Sequence, residues 1–299
     1  MNIKTIFKSL FIVAALSIMG YYFQDNWASL QEYEWDIDIK LMLLSSILLW
    51  FAISGYIFVV NYILKKLTGV KIRFIQMYRI INITNIGRYL PGKLWNMVGF
   101  FMYVEEYGLT KKQITLSIMA SEVAGKGGAL FLGLFYFLFS TKFQNLLPLM
   151  IALLAACLIV MHPRVLEKIV NIGLKILKKQ PVKISFSYGN MLVFFLIYIG
   201  VWLIYSLAFY TLVKSITPVE INFIHFMPIL PMCWVVGYIM LFAPGGIGIR
   251  EGMLTLTLSE FMSPEIALTI ALAQRIWTLG VEGLNFLHSM MIKSDTMKK

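Results

Sequence analysis

Apolar residues in this chain come in long unbroken stretches, and their spacing shows no strand-like alternation. A helix needs about 17–25 mostly apolar residues to cross a bilayer. Six stretches read as spans: Ile6–Phe23, Ile39–Leu64, Gln113–Thr141, Leu146–Met161, Met191–Val213 and Ile266–Ile292. A transmembrane barrel would instead show segments of about ten residues with alternating hydrophobicity. Two further apolar stretches, Phe74–Tyr103 and His225–Phe261, are each interrupted by Pro and Gly near the middle. The pattern predicts an all-α polytopic membrane protein.

The basic residues order these segments. Lys and Arg collect in cytoplasmic loops. Lys4 and Lys8 put the N-terminus inside, and the run Leu10 to Met19 that follows has no A-x-A site, so it reads as an uncleaved signal anchor. The segment Gln24 to Asp38 carries Asp25, Glu32, Glu34, Asp36 and Asp38 without Lys or Arg, and reads as outside. Lys65, Lys66, Lys71 and Arg73 mark an inner loop, as do the basic residues of His162 to Asn190 and of the C-terminus. Gln113–Thr141 and Leu146–Met161 form a tight hairpin, which puts Lys111 and Lys112 inside too. Phe74–Tyr103 therefore enters and leaves on the inner face. By the same parity His225–Phe261 begins and ends on the outer face. Each is expected to be a re-entrant helical hairpin, or two short spans counted as a pair.

Two such segments entering from opposite sides predict an inverted-topology repeat. The expected layout is six full spans and two re-entrant helical hairpins, about eight transmembrane segments, in a single integral membrane domain over 1–299. The first repeat covers about 39–161 and the second about 190–292. Pro91 precedes Glu122 by 31 residues, and Pro244 precedes Arg275 by the same 31.

Composition narrows the function. Hydrophobic residues make up 59% of 299 and charged residues 14%, and mean hydropathy is +0.78. Soluble domains average about 45–50% and 25%, so a cytosolic enzyme and a disordered chain are both excluded. The net charge of +11 belongs to inner loops facing anionic lipid and not to a nucleic-acid surface. Cys157 and Cys233 lie inside apolar runs, without metal or redox spacing. His162, His225 and His288 sit near segment ends as interface histidines. No H-E-x-x-H, nucleotide loop or G-x-S-x-G occurs, so no enzymatic activity, cofactor or metal is expected.

The candidate chemistry lies at the two breaks. Ile86 to Trp95 reads I-G-R-Y-L-P-G-K-L-W, and Leu241 to Gly252 reads L-F-A-P-G-G-I-G-I-R-E-G. Backbone breaks inside a membrane only where protein or a water-filled cavity satisfies the freed groups. Pro91 suits the first turn of a half-helix and Gly92 permits close approach; Pro244, Gly245 and Gly246 do the same in the second half. A half-helix N-terminus attracts anions, and Arg88, Lys93 and Arg250 flank these ends. Together they predict a site for a phosphate-bearing head group. Glu122 and Lys126 form an i,i+4 pair mid-span, or Glu122 pairs with Arg275 across the repeats. Glu251, at the start of a half-helix, serves the site or caps the helix. Arg275 and Glu282 share one face of the last span. Gly125, Ala129 and Gly133 form a small-residue stripe for close packing. The tryptophans, Trp202 and Trp234 among them, read as interface belt or packing. Arg164–Lys183 reads as a basic amphipathic helix on anionic lipid, or as a solvated one.

The motifs "NIGRYLPGKLW" and "APGGIGIREG" resemble the paired motifs of the lysylphosphatidylglycerol synthase transmembrane-region family, over about Phe7 to Ile292. This flippase-like module also forms the membrane half of the bacterial multiple peptide resistance factor. The resemblance implies movement of a phospholipid between leaflets of the inner membrane. Stand-alone relatives resemble components of glycan and polyprenyl-lipid pathways. The resemblance does not extend to an aminoacyl-transferase domain, so lysyl-lipid synthesis is not expected. The expected partner is a membrane lipid with an anionic head group, with cell-envelope biosynthesis proteins as further candidates. A small anionic solute transporter, or a glycosyltransferase-like or scaffold component of an envelope glycan pathway, is the alternative.

Overall fold

The computed structural model describes residues 31, 35, 37–89, 95–140, 142–176, 181, 183–184, 186–239 and 248–294. The described residues form helices and connecting turns without strands. In order they are α1 (Ile39–Thr68), α2 (Phe74–Asn85) running into a 3-10 turn (Ile86–Tyr89), α3 (Trp95–Glu105), α4 (Lys111–Phe139), α5 (Leu147–Val160), α6 (Pro163–Ile176), α7 (Tyr188–Lys214), α8 (Phe223–Phe226), α9 (Ile229–Ile239), α10 (Ile249–Leu258) and α11 (Pro264–Met291). The predicted first span, Ile6–Phe23, lies outside the described residues.

Local chemistry sets the ends of the long helices. The Asp38 carboxylate accepts the Lys40 and Leu41 amides at the start of α1, and Gly69, at φ 76°, closes its end in the left-handed region. Thr110 and Gln113 form a capping box that starts α4. Pro264 occupies the first turn of α11, where its missing N–H costs nothing.

Among the described residues, three helices are long and apolar enough to cross a membrane: Ile39–Thr68, Lys111–Phe139 and Tyr188–Lys214. A fourth span results if the bent pair Gln144–Val160 and Pro163–Ile176 is taken as one. The last expected span, Ile266–Ile292, is a helix of 28 residues but is not among them. Its apolar character is diluted by Gln274, Thr278, Asn285 and Ser289, all buried against other helices. A helix that turns its polar face to protein does not need the composition of one surrounded by lipid.

Helix lengths repeat along the chain. Helices α1, α2, α3 and α4 have 30, 12, 11 and 29 residues. Helices α7, α9, α10 and α11 have 27, 11, 10 and 28. Contacts repeat as well: α1 packs along α7, α2 packs on α11, and α9 packs on α4. Each half thus lends its long fourth helix to the other half's short helix. Close approach helps, since a Cβ on Gly133 of α4 would lie 3.2 Å from the Met232 Cβ on α9. The small-residue stripe therefore does serve packing, as its spacing suggests.

The short helices begin and finish at one end of the bundle. Ile72 before α2, Val104 at the end of α3, Leu64 at the end of α1 and Ile114 at the start of α4 share one core cluster. Ile221 and Phe226, at the start of the α8–α10 segment, cluster with Leu258 at the end of α10 and with Tyr136 and Phe137 at the far end of α4. The first pair of short helices thus returns to the end where α4 begins, and the second to the end where α4 finishes.

Candidate functional site

The charged side chains singled out in the sequence collect around the inner ends of these short helices and the middles of α4 and α11. Arg88 stands on the 3-10 turn that ends α2. Its Nη1 lies 3.1 Å from Glu282 Oε1 on α11, so the tip of the first short pair is tied to the last helix of the second half. The turn is tight. A Cβ on Gly87 would lie 2.5 Å from the Asn96 amide nitrogen and 2.7 Å from the Trp95 carbonyl carbon. Only a residue without a side chain lets the start of α3 come this close.

Glu122 and Lys126 pair within α4 at 3.2 Å. The Lys126 ammonium also sits 4.2 Å from the centre of the Tyr238 ring, on the last turn of α9. Arg275 Nη1 lies 3.7 Å from Glu251 Oε1. Glu122 and Arg275 do not pair with each other, which corrects one of the two expected arrangements. The cause is packing: α10 lies along α11 and brings Glu251 to Arg275, while Lys126, one turn on, takes Glu122.

Glu251 also accepts the Gly248 amide at 2.7 Å. Gly248 has φ 84°, a conformation costly for a residue with a Cβ. Glu251 thus closes the N-terminus of α10 and holds Arg275, and is buried to 4% exposure. It has its cap role and an ion-pair role at once.

Arg250 differs from the others. It is also 4% exposed, with its guanidinium carbon 4.2 Å from the centre of the Trp234 ring. Its Nε and Nη2 have no hydrogen-bond partner among the described residues. The Trp234 ring stands edge-on to Trp202 at 6.0 Å, and Trp202 Nε1 donates to the Gly125 carbonyl on α4 at 3.0 Å. An aromatic wall therefore connects Arg250 with the Lys126 turn. Tyr56 of α1 is partly buried against the core cluster that contains Ala120 and Ala124 of α4. Its ring lies 6.2 Å from that of Tyr198, whose hydroxyl is hydrogen-bonded to Ser121.

The described part of the layer holds three acid–base pairs and one further buried cation. A buried charge without a counter-ion is costly, by several kcal/mol per ion, and buried polar groups are ordinarily hydrogen-bonded. Pro91, Gly92, Lys93, Pro244, Gly245 and Gly246 lie outside the described residues. No group of three or more His, Cys, Asp or Glu able to hold a metal occurs among the described residues, and Cys157 and Cys233 are free thiols. Sequence reasoning missed three partners: Glu282 for Arg88, Trp234 for Arg250 and Tyr238 for Lys126. Trp234 resembles every other interface tryptophan in the sequence, and only the fold places it under Arg250.

No curated protein matches the chain. The family model described as the lysylphosphatidylglycerol synthase TM region matches residues 6–282, nearly the whole chain. With several helices able to cross a bilayer, the chain is a multi-pass membrane protein and belongs to the lysylphosphatidylglycerol synthase TM-region family.

Proposed function

We propose that the protein is a lipid flippase-like transporter. Its substrate would be an anionic phospholipid or a polyprenyl-phosphate-linked lipid moved between leaflets of the inner membrane. The reading takes the chain as an inverted-topology repeat with six full spans, two re-entrant hairpins and both termini in the cytoplasm. It supplies transport without a catalytic residue or cofactor. The recurring helix lengths and the reciprocal α2–α11 and α4–α9 packing support a repeat. Helices of 10–12 residues are about 15–18 Å long, half of a hydrocarbon core of about 30 Å. Their return to opposite ends of α4 supports entry from opposite faces.

One observation carries the functional part: the buried Arg250 guanidinium with open donors at the tip of the second short pair. Arg offers a planar fork that matches phosphate oxygens. Arg88 stands at the end of α2 in the first pair. The head group would rest between the two tips while the tails stay in lipid. The Arg88–Glu282, Glu122–Lys126 and Glu251–Arg275 pairs would exchange partners as the halves rock.

The test is lipid movement in vesicles. Purified protein is reconstituted with tail-labelled phosphatidylglycerol, and dithionite bleaches label in the outer leaflet. The wild-type protein should bring inner-leaflet label within reach of dithionite faster than protein-free vesicles do. Arg88→Ala with Arg250→Ala should return the rate to the protein-free level. Unchanged movement by the double variant would defeat the site. Uptake of a phosphate-bearing solute without lipid movement would favour the small-solute alternative.

A further inference from the structure

Helix α6 leaves α5 at an angle of 84°. Helix α5 packs along α4, so where α4 crosses the bilayer α6 runs close to the membrane plane. Its residues sort into three stripes. Leu166 and Val170 are buried in the core cluster that includes Met161, Leu116 and Phe194, with Leu174 packed against it. Ile169, Ile172 and Ile176 are 43%, 53% and 77% exposed, at i, i+3 and i+7 on one face. Arg164, Lys168 and Lys175, at i, i+4 and i+11, form an exposed basic stripe beside the isoleucines. No ion pair within the described residues involves these three cations. The Glu167 carboxylate is occupied elsewhere, accepting the Ile184 amide at 2.7 Å.

A solvated helix has no use for three outward isoleucines, and one inserted wholly in lipid has no use for three unpaired cations. A boundary satisfies both stripes at once. We infer that α6 is an interfacial helix docked on the anionic head groups of the leaflet at the end of the bundle where α4 begins. Ile169, Ile172 and Ile176 enter the acyl boundary, and Arg164, Lys168 and Lys175 meet lipid phosphates. The occupant is lipid and not a protein partner because the basic stripe complements an anionic surface and the helix axis already lies in its plane. Lys178 and Lys179 follow in the sequence and add to the positive charge. The inference is independent of transport, since it uses none of the residues around Arg250.

The test uses the full chain with Cys157→Ala and Cys233→Ala, an environment-sensitive fluorophore on Ile172→Cys, and vesicles of two compositions. In phosphatidylcholine containing about a third phosphatidylglycerol, the label should be shielded from iodide and quenched by a head-group nitroxide lipid. In phosphatidylcholine alone, shielding should fall several-fold, since each basic residue near an anionic surface favours contact about fivefold. Arg164→Glu, Lys168→Glu and Lys175→Glu together should abolish the dependence on phosphatidylglycerol while leaving the inward face intact. Iodide access as free as that of the unbound dye in both compositions overturns the inference. So does shielding that ignores both the anionic lipid and the charge reversal, which is the result a protein partner or simple burial would give. The comparison of lipid compositions needs only the labelled protein, so failure of the triple variant to fold leaves the answer intact.

Discussion

Arg250 lays its guanidinium over Trp234 while Glu251, the next residue, turns to Arg275 and to the Gly248 amide. Two neighbouring charges on one helix turn thus have separate duties, and they should fail differently. Arg250→Gln should lower retention of anionic lipid roughly 10-fold or more, the scale of a desolvated cation–π and phosphate contact, with little change in melting temperature. Glu251→Gln should instead lower stability by about 1–2 kcal/mol, because the amide still accepts the Gly248 N–H but removes the buried charge that pairs with Arg275. Native mass spectrometry of bound lipid and thermal unfolding in detergent separate the two. Equal effects on both readouts would contradict the division.

The Arg88–Glu282 pair joins the first short helix pair to the last helix. A double-variant cycle with Arg88→Gln and Glu282→Gln should give a coupling of about 1–2 kcal/mol, as expected for a partly buried contacting pair. Arg88→Glu with Glu282→Arg should recover most of the stability lost by either single reversal. Additive effects in thermal unfolding would mean that the pair does not hold the halves together.

Three glycines should respond with different signs when changed to Ala. Gly87→Ala forces a Cβ against the backbone of Trp95 and Asn96, which should cost about 1–3 kcal/mol. Gly248→Ala keeps a φ of 84° that a side chain resists, at about 1–2 kcal/mol. Gly280, in α11, meets nothing within 4 Å, so Gly280→Ala should stabilise by about 0.5–1 kcal/mol. Melting temperatures of the three variants check the order.

The sequence makes α1, α4 and α7 legible because lipid-facing helices need apolar residues on nearly every side. The breaks are legible for the opposite reason, since Pro and Gly have no place in a regular span. Helix α11 is harder, because its polar residues face protein. The pairing of charges is harder still. Glu282 stands seven residues after Arg275 on one helix, yet its partner is Arg88 from the other half. That choice depends on which faces of α2 and α11 meet, and no local spacing carries that information. The Lys126–Glu122 pair was readable because one helix turn alone dictates it.

In the proposed topology each of the two short helix pairs returns to its own side of the membrane. Single cysteines at the exposed positions Lys71, Lys112, Glu220 and Ser263, in a background without Cys157 and Cys233, test this with a membrane-impermeant maleimide. Lys71→Cys and Lys112→Cys should label only from the cytoplasmic side, and Glu220→Cys and Ser263→Cys only from the external side. Labelling of Lys71→Cys and Lys112→Cys from opposite sides, or of Glu220→Cys and Ser263→Cys from opposite sides, would contradict it.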